Sequence, residues 1–287
     1  MAFDQKKFPN RFRMLRYLTE FSRYLILAFF TFIYLFPFIL ILFWAFKTET
    51  EISLSPFTPP SQFHIETIIK VWNQGRFSIY LPNSVIYSIV ITIGACSISA
   101  LAGYAFAQLK FPGRQLLFTL FLAGLMVPFF AMMIPMYYLN LDLGLFGTRW
   151  ALIVPRIALG LSFGIFFMRA FFQSLPRELA EAAKIDGCNE WSVFIRIMLP
   201  LAGPGFSTLA VFEFLSSWNM FIEPLIFVQS DSLRPVGLAI LFFTGRYFLE
   251  RNMVAMGILL TIGPVILAYL FLQRQFIEGI TSGAVKS

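Results

Sequence analysis

The stretch ELAEAAKIDG, residues 178–187, is charged and rich in alanine, and IRIMLP, residues 195–200, follows it closely. The surrounding chain has 287 residues, of which 58% are hydrophobic and 13% are charged. Acidic side chains at Glu178 and Glu181 favour a helix N-terminus, and Gly187 fits the position after a helix, where a left-handed residue ends it. The stretch therefore predicts a surface helix that ends at a glycine, inside a chain that is otherwise apolar.

The flanking residues predict how this helix begins and which element comes after it. Ser174 can cap the helix, and Asn189 can cap a second short helix over 190–198. Residues 174–200 would then form a helix–glycine–helix unit, which we call the elbow. An elbow with an exposed apolar face indicates a docking partner, and a helix lying on lipid headgroups is the alternative.

Long apolar runs divide the rest of the chain. A bilayer core needs about 20 apolar residues at a rise of about 1.5 Å each. Six charge-poor runs reach that length: 24–46, 81–109, 115–141, 150–172, 197–230 and 252–273. The first run is longer than the apolar region of a secretory signal and has no small-residue cleavage site after it, so we expect an uncleaved membrane anchor. The runs predict an all-α membrane protein with six transmembrane helices.

Lysine and arginine predict the orientation of these helices, because cytoplasmic loops carry an excess of both. If the N-terminus is cytoplasmic, the inside segments hold 13 of the 22 basic residues and the outside segments hold 7. We therefore expect both termini in the cytoplasm. The predicted segments are a basic tail over 1–23, a first transmembrane helix over 24–46, an external loop over 47–80, a core of five helices over 81–273 that contains the elbow, and a tail over 274–287. The net charge of +7 follows from this topology and indicates no nucleic-acid partner.

Residue types that carry catalysis or hold metals are few. Cys96 lies in a transmembrane run and Cys188 in the elbow, so a disulfide is not expected. His64 is the single histidine, which excludes a Cys/His metal cluster. The chain has no Gly-x-x-x-x-Gly-Lys-Ser/Thr loop for nucleotide phosphates and no plausibly placed Ser/His/Asp set. We expect no enzyme activity, no metal and no cofactor in this chain.

Two acidic residues interrupt the fifth apolar run. A charge near the centre of a bilayer costs at least about 2.5–3.5 kcal/mol, so such groups usually face protein or water. On one continuous helix, Glu213, Ser216, Asn219 and Glu223 would share a stripe about 120° wide. This stripe either lines a translocation path or holds helices together. Arg156, at a similar depth in the fourth run, could pair with Glu223 and close an outer gate.

The elbow carries a spaced pattern of seven residues that resembles the EAA loop of ABC import permeases. The pattern is Glu181, Ala182, Ala183, Gly187, Ile197, Leu199 and Pro200. In that family the loop fits a cleft on an ATPase subunit and transmits its movement to the membrane helices. The resemblance implies that Glu181 bonds a basic group in the cleft, that the two alanines give a close fit, and that Gly187 gives the turn.

Four further segments resemble this family. The first two resemble the start of the permease core, the third resembles a signature of its carbohydrate branch, and the fourth resembles the C-terminus of the G-type subunit of maltose permeases. They are LPNSVIYS (81–88), AGYAFAQLKFPGR (102–114), WNMFIEPLIF (218–227) and FIEGITSGAVKS (276–287). The chain departs from the family at Ser287, where many relatives end in glycine. Glu223 is an unusual acid within the third segment.

The resemblance implies the type I fold of ABC importer permeases and an alternating-access mechanism. An extracytoplasmic solute-binding protein would deliver a sugar or oligosaccharide to two paired, homologous permeases in the cytoplasmic membrane of a bacterium or archaeon. Two ATPase subunits would drive the cycle, and the tail at 283–285 would reach between them. An ABC permease for a non-sugar solute is one alternative. An ion-driven secondary transporter is another, although it would not need the elbow and would often show an internal repeat.

Overall fold

The computed structural model describes residues 10–244 and 250–284, and their side chains over 19–244 and 250–270. The helices in chain order are α1 (Asn10–Ala45), α2 (Glu49–Leu54), α3 (Glu66–Gln74), α4 (Phe77–Gln108), α5 (Arg114–Gly124), α6 (Phe129–Asp142), α7 (Trp150–Ser174), α8 (Arg177–Ile185), α9 (Glu190–Val193), α10 (Leu199–Leu201), α11 (Gly203–Trp218), α12 (Ile222–Phe227) and α13 (Arg251–Ala284). A π-helical segment, Phe194–Met198, joins α9 to α10, and two 3-10 helices, Asp231–Leu233 and Val236–Phe242, lie between α12 and α13. The prediction of an all-α protein is confirmed.

Four helical stretches within the described residues are long and apolar enough to cross a membrane by themselves. They are Thr19–Ala45, Phe77–Gln108, Trp150–Ser174 and Arg251–Leu270. Two bent helix pairs reach the required length and hydropathy only when each pair is taken together. The described chain therefore has up to six spans, but the third and fifth predicted runs are not single rods.

The predicted third span, 115–141, is broken in its middle. The axes of α5 and α6 differ by 102°. Pro128 immediately precedes α6, cannot donate a backbone hydrogen bond, and disfavours helical geometry at Val127. With 11 residues, α5 is about 17 Å long, which is shorter than a hydrocarbon core of about 30 Å. The predicted third transmembrane helix is therefore a bent pair of shorter helices.

The predicted fifth span, 197–230, is broken twice. A bend of 76° at Ala202 separates the end of the elbow from α11. The helix α11 ends at Trp218, and Phe221, just before α12, has φ −133° and ψ −51°, outside helical geometry. The polar stripe predicted over 213–223 assumed one continuous helix, and that assumption is wrong because the helix stops before Asn219.

Small residues bring α4 and α7 close together. A Cβ atom on Gly103 would lie 2.7 Å from the Cβ of Met168 and 2.9 Å from the backbone nitrogen of Arg169. Gly164 on α7 faces Ser99 on α4 in the same way. Membrane helices associate through such close packing, because lipid provides no hydrophobic driving force between them. The helix α11 packs against both α4 and α7.

One face of α4 holds the segment that follows α12. The Asn83 side-chain nitrogen donates to the carbonyl of Ser232 at 2.8 Å and to that of Arg234 at 3.1 Å. The Tyr87 hydroxyl donates to the carbonyl of Leu233 at 2.7 Å. Asn83 and Tyr87 lie four residues apart on the same helix face, so together they reach three consecutive carbonyls. These contacts give a structural reason for polar side chains at the start of a membrane helix.

The predicted tails are helical where the structure describes them. The helix α1 begins at Asn10, inside the predicted tail 1–23, and lies against α13. The helix α13 continues to Ala284, inside the predicted tail 274–287. Residues 1–9 and 285–287 lie outside the described residues, and the predicted contact of Val285 with the ATPases therefore does too.

Candidate functional site

A left-handed glycine ends the first helix of the elbow. Gly187 has a φ of +85°. Its N–H donates to the carbonyl of Lys184 at 3.1 Å, and the N–H of Cys188 donates to the carbonyl of Ala183 at 3.0 Å. This pair of hydrogen bonds is a Schellman motif, which satisfies the last carbonyls of a helix. The turn at Gly187 has the geometry that the sequence predicts.

The second arm of the elbow begins at the predicted cap. The Asn189 side-chain oxygen accepts a hydrogen bond from the backbone N–H of Ser192 at 2.8 Å. The helix predicted over 190–198 is α-helical only to Val193 and continues as the π-helical segment, a geometry that is frequent at functional sites. The predicted cap at Ser174 is wrong, because Ser174 is the last residue of α7 and its hydroxyl donates back into that helix.

Tyr104 of α4 fixes the elbow to the membrane helices. Its ring lies edge-on to Phe172 of α7 with 5.7 Å between centroids, and 5.1 Å from the ring of Phe194 in the π-helical segment. Its hydroxyl donates to the Glu190 carboxylate at 3.2 Å, and Lys184 pairs with the same carboxylate at 2.5 Å. We call these five residues the Tyr104 anchor. They join both arms of the elbow to two membrane helices.

The inner face of the elbow is apolar and packs on the bundle. Ala180 and Ala183 of α8 are each 6% exposed. They belong to one buried cluster with Val193 of the second arm, and Ile197 and Leu199 pack partly buried against it. Three residues of the seven-residue pattern therefore hold the elbow onto its own chain.

The outer face of the elbow is exposed and carries other residues of the pattern. It consists of Leu179, Glu181, Ala182, Ile185 and Trp191. Three of its side chains, Leu179, Ile185 and Trp191, are large, apolar and exposed, and such a group on one face suits a docking partner. Of the two alanines that were predicted to give a close fit, only Ala182 can contact a partner, because Ala183 points into the core of its own chain.

A polar cluster lies where α7, α11 and α12 meet. The Arg156 Nη1 atom lies 3.1 Å from Glu223 Oε1, and the two side chains are 19% and 14% exposed. The other terminal nitrogen of Arg156 donates to the Ser216 hydroxyl. Arg156 and Glu223 are therefore paired, as the sequence predicts, and Ser216 joins them across the break between α11 and α12.

The second acid, Glu213, lies close to this cluster. It is 6% exposed, and a Cβ atom on Gly160 would lie 2.8 Å from each of its carboxylate oxygens. Gly160 follows Arg156 by four residues, about one turn of α7. Asn219 is exposed at the end of α11. The cluster offers carboxylate and hydroxyl oxygens together with one guanidinium, groups that can bind a ligand rich in hydroxyls.

Sequence comparison places the chain in a family. The model described as the binding-protein-dependent transport system inner membrane component matches residues 97–277, which include the elbow and the polar cluster. The chain belongs to this family. It is 37% identical over 265 residues to the arabinooligosaccharides transport system permease protein AraQ of Halalkalibacterium halodurans, covering 90% of this chain and 94% of that protein. It is 34% identical over 253 residues to the diacetylchitobiose uptake system permease protein NgcG of Streptomyces coelicolor, covering 87% of this chain and 83% of that protein.

The fold of this binding-protein-dependent permease matches that of a solved importer chain. The crystal structure is of a bacterial ABC transporter involved in the import of the acidic polysaccharide alginate. The TM-score is 0.79 at 20% sequence identity, and the match covers 96% of this chain and 100% of that chain. As a member of this family, the permease is a multi-pass inner-membrane subunit of an ABC importer, not itself catalytic, that works with ATPase and binding-protein partners. This assignment excludes the alternative prediction of an ion-driven secondary transporter.

Replacing Gly187 by alanine tests the turn of the elbow. A residue with a side chain costs about 1–2 kcal/mol in the left-handed region. The added methyl group meets no atom within 4 Å, so this cost arises in the backbone alone. In hydrogen–deuterium exchange we expect the amides of residues 187 and 188 to exchange roughly 5- to 30-fold faster.

Gly203→Ala is the matched control for this variant. Its added Cβ also meets no atom within 4 Å, but Gly203 lies in a helix and not in the left-handed region. Equal exchange at residues 187 and 188 in the two variants would contradict the assigned turn.

Proposed function

We propose that this permease is one of two membrane subunits of a carbohydrate importer and that its elbow is the docking site for an ATPase subunit. The observation that carries the proposal is the division of the elbow into an exposed outer face and a buried inner face. The outer face offers a surface to a partner, and the Tyr104 anchor fixes the inner face to α4 and α7. A partner that moves the outer face would therefore move the membrane helices.

The outer face has the chemistry of a docking surface. The exposed Glu181 carboxylate can accept hydrogen bonds from a basic group in an ATPase cleft. Ala182, which has the smallest side chain of the face, lets the cleft wall approach the helix backbone. Leu179, Ile185 and Trp191 would lose contact with water in the complex, which favours association.

Movement of the elbow has a contiguous packed path into the membrane. The Tyr104 anchor lies on α4, and α4 packs against both α7 and α11. The polar cluster is built from these last two helices and α12, with Arg156 on α7 and Ser216 on α11. We propose that the anchor carries ATPase closure to this cluster.

The polar cluster is our candidate for part of the translocation path. Glu213, Ser216, Asn219 and Glu223 supply hydrogen-bonding groups for sugar hydroxyls on this proposal. The substrate class is supported by two relatives, whose names specify arabinooligosaccharides and diacetylchitobiose. In the conformation described here Arg156 contacts Glu223, and on this proposal the ion pair closes an outer gate.

The proposed assembly contains a second, homologous permease, two ATPase subunits and an extracytoplasmic solute-binding protein. Both termini, the elbow and the loop between α4 and α5 would face the cytoplasm. The distribution of lysine and arginine along the sequence supports this orientation. Hydrolysis of ATP would occur on the partner subunits alone.

Enlarging Ala182 tests the docking site. Because Ala182 is exposed, phenylalanine at this position leaves the inner face intact but blocks close approach of a partner. We expect Ala182→Phe to fold and to reduce the ATPase that copurifies from native membranes by about tenfold or more, which corresponds to about 1.4 kcal/mol of binding free energy. Quantitative mass spectrometry of the detergent-purified complex measures this ratio.

The small variant Ala182→Ser serves as the control at the same position. It should retain the ATPase, because its side chain adds only a hydroxyl group. If Ala182→Phe copurified as much ATPase as Ala182→Ser, docking through this face would be refuted.

Removing one charge of the gate pair tests the polar cluster. Glu223→Gln leaves Arg156 without its carboxylate, and we expect about 1–3 kcal/mol of stability to be lost, less than for a fully buried pair. Thermal unfolding of the purified permease measures the stability, and uptake of labelled sugar measures transport.

Glu20→Gln is the control, because it breaks an exposed pair with Arg23 that should contribute little. Unchanged stability and unchanged uptake in Glu223→Gln would rule out both the gate role and the role in joining helices.

A further inference from the structure

A cavity of about 330 Å³ lies between the end of α4, the start of α5 and the start of α8. Its lining consists of Ala107, Gln108, Lys110, Phe111, Arg114 and Arg177. Three of these six side chains are cationic and none is acidic. A concave surface lined by one sign of charge attracts counter-ions, so this cavity favours an anion.

The three cations of the cavity are Lys110, Arg114 and Arg177. Within the part of the chain that the structure describes, Lys110, Arg114 and Arg177 form no salt bridge with a carboxylate. Arg114 donates to the carbonyl of Leu109 at 2.9 Å, which holds its guanidinium at the cavity wall. Like charges around one volume repel each other, and an anion between them would replace repulsion by attraction.

A second cavity, of about 510 Å³, adjoins the first on the side of the elbow. The two cavities share Gln108, Lys110, Phe111 and Arg177. The lining of the second cavity includes Glu181 and Glu190, and Glu190 is already held by Lys184 and Tyr104. The acidic groups therefore lie toward the elbow, and the positive region lies toward Arg114 and α5.

The surface beside the cavity indicates the source of the anion. Leu116, Leu117 and Leu120, on the first turns of α5, are exposed apolar side chains that suit contact with acyl chains. We propose that the cavity binds the phosphate group of an anionic phospholipid whose acyl chains lie along α5. Basic pockets between membrane helices on the cytoplasmic side bind such headgroups. The inference rests on the proposed topology, which places the loop between α4 and α5 at the cytoplasmic surface.

A bound headgroup would connect the membrane surface to the elbow. Arg177 is the first residue of α8, whereas Lys110 and Arg114 belong to the connection between α4 and α5. One phosphate group shared by these three side chains would hold the start of the elbow at the level of the headgroups. The lipid would thus fix the elbow in addition to the Tyr104 anchor.

The test measures lipid retention by the purified full-length permease in native mass spectrometry. Lys110→Gln and Arg177→Gln are combined, while Arg114 is kept because it also bonds the Leu109 carbonyl. The matched control combines Lys70→Gln and Arg196→Gln, which remove two exposed cations that do not line the cavity. The two double variants therefore change the net charge equally.

Three probes are compared: phosphatidylglycerol, phosphatidylcholine with the same acyl chains, and soluble glycerol phosphate. We expect the wild type and the control to retain phosphatidylglycerol in preference to phosphatidylcholine. The cavity variant should retain phosphatidylglycerol at least about tenfold less, given the contribution of each cation to binding at anionic membranes. Glycerol phosphate should not displace the lipid.

Three results would overturn the proposal. Equal retention of phosphatidylglycerol by the cavity variant and the control would exclude these cations from lipid binding. Equal retention of the two phospholipids by the wild type would exclude recognition of negative charge. Displacement by glycerol phosphate would identify a soluble anion as the ligand. The readout needs no ATPase, so its failure is distinguishable from a failure of ATPase docking at Ala182.

Discussion

The elbow depends on one side chain of the membrane core, that of Tyr104. Its ring contacts Phe172 and Phe194, and its hydroxyl binds the same Glu190 carboxylate that pairs with Lys184. Each aromatic pair contributes about 0.5–1.5 kcal/mol beyond the area that it buries. Because both arms of the elbow and two membrane helices converge on this residue, the elbow is a rigid extension of α4 and α7. On the proposed function, that rigidity would let a docked ATPase subunit move the bundle.

The break between α11 and α12 is covered by protein. Lipid cannot satisfy a freed N–H or carbonyl group, so irregular backbone in a membrane must face protein or a watery cavity. A Cβ atom on Gly237 would lie 2.7 Å from the Met220 carbonyl oxygen. The 3-10 helix Val236–Phe242 therefore covers the break between α11 and α12 closely. The break also sets the separation of Ser216 from Glu223, and Arg156 contacts both residues. Backbone irregularity and polar chemistry thus occur at the same place.

The sequence predicts those features that follow local rules, and it misses those that depend on packing. Apolar length predicted the helical membrane fold, and a glycine after an alanine-rich helix predicted the turn at Gly187. The sequence does not show which proline breaks its helix: Pro128 lies at the break before α6, whereas Pro155 lies inside an unbroken α7. The opposite directions of Ala182 and Ala183 are decided by how the elbow packs on the bundle. Tyr104 carries no signal in an apolar run, because its partners are far away in the sequence.

The most direct test of the account is to weaken the Tyr104 anchor while leaving the docking face unchanged. Phe172→Ala removes one ring from the anchor, and Phe172 is a buried residue of α7 whose ring contacts are with Tyr104 and Phe194. In vesicles that contain the complete importer, ATPase association, ATP hydrolysis and sugar uptake would be measured together. We expect the ATPase to remain bound while the sugar transported per ATP hydrolysed falls severalfold. An unchanged ratio of transport to hydrolysis in this variant would contradict the claim that the anchor transmits movement into the membrane.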